Sequence, residues 1–111
     1  MLVEEVRFGS GVVIITAIWE MLAPLVLGYS TLVVPTANAL IVGLIALVLG
    51  VSRYLRPQRW EWMSWVGGAL GVWLIVAPFL LSYGNPARVN DVLVGMVMAV
   101  GSTWSALASE M

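Results

Sequence analysis

The chain has no cysteine, no histidine and no lysine, and only 10% of its 111 residues are charged. Without cysteine there is no disulfide framework, no thiolate metal site and no thiol redox chemistry. Without histidine the commonest ligand of haem and zinc is missing, and so is the usual proton shuttle. A soluble domain carries about 25% charged residues. Here residues 21–52 and 62–87 contain none at all, while 61% of the chain is hydrophobic. Uncharged apolar stretches of this length read as membrane spans joined by short turns. A soluble four-helix bundle would need a polar outer stripe on each helix, and no such stripe exists. The net charge of −1 offers no footprint for nucleic acid. Glu4 and Glu5 stand where a secretory signal would be positive, so the first apolar run is expected to be retained as a span.

What the chain does have is a duplication. Trp19, Ala23, Pro24, Leu27 and Tyr29 recur as Trp73, Ala77, Pro78, Leu81 and Tyr83, shifted by 54. Asn38, Val42 and Gly43 recur as Asn90, Val94 and Gly95, shifted by 52. The predicted fold is therefore an all-α integral membrane protein. Its four transmembrane helices, at about residues 9–27, 35–53, 61–81 and 86–108, form two parallel-repeat helical hairpins. Residues 1–111 make one membrane domain, with repeat one at 9–53 and repeat two at 61–108. Pro35 and Pro86 are expected at the first helical positions, with Asn85 as an N-cap.

Arg7, Arg53, Arg56 and Arg59 lie before span one and in the central connection, against Arg88 alone on the other side. This bias predicts a multi-pass membrane protein with both termini and the central connection cytoplasmic. Trp60 and Trp62 beside the arginines fit an interfacial aromatic anchor, and Trp104 fits the same role or a contact to a neighbour.

Helices in lipid associate through close van der Waals contact, so small residues mark the packing faces. Ala39, Gly43, Ala46 and Gly50 in span two are spaced 4-3-4, as are Gly95, Ala99, Ser102 and Ala106 in span four. Span three adds Gly67 and Gly71. These ridges are expected to pack within the bundle or against a partner subunit. Pro24 and Pro78 free the carbonyls of Glu20 and Leu74. Asn38 and Asn90 are expected to bond those carbonyls, or the turn, within their own hairpin.

The spacing Trp19, Ala23, Pro24, Leu27, Gly28, Tyr29, followed by Asn38 and Gly43, resembles the repeat of the SPW-repeat family of small bacterial and archaeal membrane proteins. Trp73, Ala77, Pro78, Leu81, Tyr83, Asn90 and Gly95 resemble it again. Ala23 and Ala77 replace the serine of the family pattern, Leu25 and Phe79 its second tryptophan, and Ser82 a glycine. The resemblance implies a four-span protein of a prokaryotic inner or plasma membrane and brings no activity with it.

Two residues break the duplication. Glu20 stands opposite Leu74, and Asp91 opposite Ala39. A carboxylate inside an apolar span is costly and is a functional-site hypothesis by default. Glu20 is expected to bond Thr16 or a neighbouring helix, to touch a partner or cofactor, or to carry a proton. Asp91 is expected to serve the helix N-terminus and pair with Arg88. The size and Glu20 also resemble the small multidrug resistance exporters, against which the parallel repeat stands.

With no catalytic constellation and no metal ligand set, the chain is expected to be a non-catalytic accessory or scaffold subunit. Its partners would be other integral membrane subunits or itself, together with membrane lipids. The alternatives are a small proton-coupled transporter using Glu20, and a protein binding a lipid, quinone or carotenoid near Trp19, Trp73, Tyr29 and Tyr83.

Overall fold

A computed structural model describes residues 2–111. It contains α1 (Val3–Val26), α2 (Val33–Leu55), α3 (Trp62–Leu80) and α4 (Ala87–Glu110), each long and apolar enough to cross a membrane. The bundle measures 42 × 21 × 16 Å, long in the helix direction. One end carries the α1–α2 and α3–α4 turns. The other carries the central connection and both chain ends, where the Leu2 N–H donates to the Ala108 carbonyl at 2.9 Å.

Helix boundaries differ from the sequence expectation for local reasons. α1 starts at Val3, well before Gly9, with Glu4 and Glu5 in the first turn, where carboxylates suit the helix N-terminus. α2 starts at Val33, which makes Pro35 its third residue. Any of the first four amides is unpaired, so proline fits there as well as at the first position. In α4, Pro86 precedes the helix and Asn85 makes no side-chain cap.

The two hairpins pack in the same way. In the first, a Cβ added at Gly43 would lie 3.1 Å from the Ala17 carbonyl and 2.5 Å from Met21. In the second, a Cβ at the equivalent Gly95 would lie 2.5 Å from the Gly71 carbonyl and 2.9 Å from Ile75. Both small-residue ridges thus face the partner helix of their own hairpin.

Between hairpins the symmetry fails. α1 packs closely on α4, while the equivalent seam of α2 with α3 is thinner. At the α1–α4 seam Gly9 meets Gly101, where an added Cβ at Gly9 would collide with the Gly101 carbonyl. The repeat-equivalent residues at the α2–α3 seam are Met63 and Leu49. Glycine lets backbones touch; methionine and leucine hold them apart.

Each turn is closed by a residue in the left-handed region. Gly28 has φ 81° and its equivalent Ser82 has φ 57°. This is the residue position at which helices commonly end in a left-handed cap. It brings Tyr29 and Tyr83 back over the helix ends, where they pack with Ala23 and Ala87.

Candidate functional site

At the turn end, six side chains of the two repeats interlock. Trp19 of repeat one donates its indole N–H to Asn90 Oδ1 of repeat two at 2.7 Å. Asn90 Nδ2 donates in turn to the Tyr29 hydroxyl at 3.4 Å. Trp73 of repeat two donates to Asn38 Oδ1 of repeat one at 2.8 Å, and Asn38 Nδ2 donates to the Tyr83 hydroxyl at 3.2 Å. Each repeat therefore clasps the asparagine of the other between its own tryptophan and tyrosine. This accounts for the duplicated Trp, Tyr and Asn as one mechanical unit. It also corrects the expectation of bonds within a hairpin. An asparagine one turn into α2 or α4 faces the neighbouring repeat, and the indole is a better-placed donor than any freed carbonyl is an acceptor.

The two residues that break the duplication meet inside this clasp. Glu20 and Asp91 are both fully buried, on the facing helices α1 and α4. Glu20 Oε2 accepts from Asn90 Nδ2 at 3.3 Å, and Asp91 Oδ2 accepts from the Tyr83 hydroxyl. The remaining oxygens, Glu20 Oε1 and Asp91 Oδ1, have no hydrogen-bond partner. The two carboxyl groups are neighbours in one buried site, with Asn90, next to Asp91 in the chain, donating to Glu20. Thr16 is not the partner of Glu20, since its hydroxyl donates back to the Val12 and Val13 carbonyls. Asp91 does not pair with Arg88 either: Arg88 is exposed, whereas Asp91 is fully buried and bonded to Tyr83. Burial raises the phenols of Tyr29 and Tyr83 above their ordinary values, and the neighbouring acids add to the effect. Both tyrosines therefore remain protonated, Tyr83 as the donor to Asp91 and Tyr29 as an acceptor from Asn90.

A second polar cluster lies at the opposite end. Arg53 is 1% exposed and not an interfacial charge. Its Nε donates to Ser64 Oγ at 2.9 Å, and Nη1 to the carbonyls of Pro57 and Arg59 at 3.0 and 2.6 Å. Nη2 donates to Ser109 Oγ. One side chain of α2 thus fastens the central connection, α3 and α4. Ser105 donates to the Val6 carbonyl and receives Ser64 at 3.2 Å, with Ser10 also 3.2 Å away. The contact of Ser10 with Ser105 is the repeat equivalent of that between Ser64 and Arg53. Sequence reasoning took Arg53 as a topology charge and did not single out Ser10, Ser64 or Ser105. The signal is that Arg53 continues the ridge of Gly43, Ala46 and Gly50.

Between the two clusters the interior is apolar, with Val13, Ala17, Leu74, Val94 and Met98 in one packed layer. A cavity of about 10 Å³ beside Arg53, Ser64 and Ser105 has room for roughly one water. The large clefts open on the outside. One of about 590 Å³, lined by Thr16, Trp19, Asn90 and Val97, runs between α1 and α4. It is continued by another of about 360 Å³ lined by Phe8, Val12, Val97 and Trp104. Trp104 stacks on Phe8 at 6.3 Å with the rings tilted by 59°. Among the described residues, no group of three or more acidic side chains is assembled that could hold a metal ion.

Compared with known families, residues 7–105 match the model of the SPW repeat domain. Neither curated proteins nor solved structures gave a match.

Proposed function

The chain belongs to the SPW repeat domain family, and on that premise we propose that it is a non-catalytic accessory or scaffold subunit of a larger complex in a prokaryotic membrane. The observation that carries this reading is the direction in which the polar groups point. Glu20, Asp91 and Arg53 are turned inward and engaged in holding the repeats together. Facing lipid, by contrast, α1 and α4 leave a continuous apolar groove past Trp19, Val97, Phe8 and Trp104. A helix or an acyl chain is the complementary shape. Both termini and the central connection are assigned to the cytoplasm on the arginine bias. Reporter fusions at either end test this orientation.

Blue-native electrophoresis of mildly solubilised native membranes tests the subunit reading. A band well above the mass of the chain, with a defined co-purifying membrane protein or a fixed number of copies of the chain, supports it. Migration only as a single chain overturns it. A proton-coupled carrier is the less favoured reading, because the apolar layer at Ala17, Leu74 and Met98 separates Glu20 from the far end. Flux in proteoliposomes that is abolished by Glu20→Gln would favour it instead. A lipid, quinone or carotenoid in the groove beside Trp19 would be recovered by solvent extraction of the purified protein.

A further inference from the structure

We propose that Glu20 and Asp91 form a binding site for a single proton, held jointly by their two carboxyl groups, and that this proton completes the clasp between the repeats. The inference stands on the hydrogen-bond pattern and is independent of the subunit reading.

The direction of the surrounding donors is fixed from outside. An indole N–H can only donate. Trp73 therefore makes Asn38 Oδ1 an acceptor, which turns Asn38 Nδ2 toward the Tyr83 oxygen and sends the phenolic proton to Asp91 Oδ2. On the other side Trp19 makes Asn90 Oδ1 an acceptor, which turns Asn90 Nδ2 toward Glu20 Oε2. Both relays deliver a hydrogen to the acid pair, one to each residue. That leaves Glu20 Oε1 and Asp91 Oδ1 as two buried acceptors with no donor. Two ionised carboxylates side by side in an apolar interior repel strongly. One proton held by the pair removes that repulsion and supplies a donor where the orphan oxygens have none.

No other group competes for the role. The titratable side chains around the pair are Tyr29 and Tyr83, from the two turns. α3 contains none, and those of α2, Arg53 and Tyr54, lie at the far end of the bundle. Arg88, on α4, is exposed. In repeat symmetry the pair stands where the other half has Leu74 and Ala39, so the equivalent seam packs without acids. The site therefore ties α1 to α4 only while the proton is bound. Without it, two carboxylates would push the repeats apart.

Infrared spectroscopy of the purified full chain in detergent, in H₂O and D₂O near neutral pH, tests the proposal. The expected result is a deuterium-sensitive C=O band of one protonated carboxyl per chain that vanishes both in Glu20→Gln and in Asp91→Asn. In either variant an amide N–H supplies the missing donor, and the remaining acid ionises. A band lost in only one variant means an isolated acid and overturns sharing. A band that disappears on adding sodium chloride but not choline chloride means a sodium site, and overturns it too. Should a variant fail to fold, the unaltered chain decides: no protonated carboxyl, or two, refutes the single shared proton.

Discussion

Arg53 and Arg56 are three residues apart in the sequence and carry the same charge, yet their structural roles differ sharply. Arg53 makes four hydrogen bonds, to Ser64, Pro57, Arg59 and Ser109, with its side chain out of solvent. Arg56 is exposed. Replacing Arg53 by Gln removes at least two of those bonds, because a carboxamide offers two N–H donors and a shorter reach. Hydrogen bonds from a charged donor contribute about 1.5–3 kcal/mol each. Release of a buried charge from its desolvation penalty gives part of this back. The net loss for Arg53→Gln should be about 2–4 kcal/mol, or roughly two orders of magnitude in the folding equilibrium. Arg56→Gln should stay within about 0.5 kcal/mol, as exposed substitutions do. Reversible unfolding of the two variants in mixed micelles, titrated with a denaturing detergent, measures both. Arg53→Lys should recover only part of the loss, since an ammonium has three N–H donors on a single nitrogen for four acceptors that the guanidinium reaches from three. Equal losses for Arg53→Gln and Arg56→Gln would refute the clamp and return Arg53 to the role of a topology charge.

At Gly71 an added Cβ would lie 2.6 Å from the Ala99 backbone nitrogen, so Gly71→Ala should cost about 1–3 kcal/mol by overpacking. Gly68→Ala, whose Cβ would meet only the Thr103 hydroxyl at 3.3 Å, should be near neutral in the same unfolding assay. Ser82 holds φ 57°, so Ser82→Gly should stabilise the chain by about 1 kcal/mol and raise its melting temperature. The phenols of Tyr29 and Tyr83 are raised by burial. Their contribution should be complete below the ordinary phenol value and be lost only as pH climbs above it. Tyrosinate absorbance, taken as the difference from Tyr29→Phe and Tyr83→Phe, should appear together with the alkaline loss of the folded state.

Much of the fold was legible because lipid simplifies the rules. Long uncharged runs, the recurrence of Trp, Pro, Tyr and Asn, and ridges of small residues identify four spans and two like hairpins. The ridges at Gly43 and Gly95 lie against α1 and α3 of their own hairpins. Helix ends were less legible, since Pro35 satisfies the first turn of a helix at its third position as well as at its first. Glu20 and Asp91 stood out singly, but their meeting depends on α1 lying closely against α4. That closeness is written in Gly9 and Gly101 as opposed to Met63 and Leu49, a difference visible only once the seams are known to be equivalent. Asn38 and Asn90 were recognisable as paired features. Their partners were not, because a bond between repeats joins residues 35 and 71 positions apart. Arg53 was hidden by its neighbours: Arg56 and Arg59 made a charge cluster of it, although the helical register of Ala46 and Gly50 already turned it inward.

The central claim is that each repeat holds the asparagine of the other, and double-mutant cycles between tryptophan and asparagine test it most directly. Trp19→Phe with Asn90→Ala, and Trp73→Phe with Asn38→Ala, should each show a coupling of about 1 kcal/mol in the unfolding assay. The within-repeat pairs, Trp19 with Asn38 and Trp73 with Asn90, should be additive to within about 0.5 kcal/mol. Coupling confined to the within-repeat pairs, or absent from all four, would contradict the cross-repeat clasp.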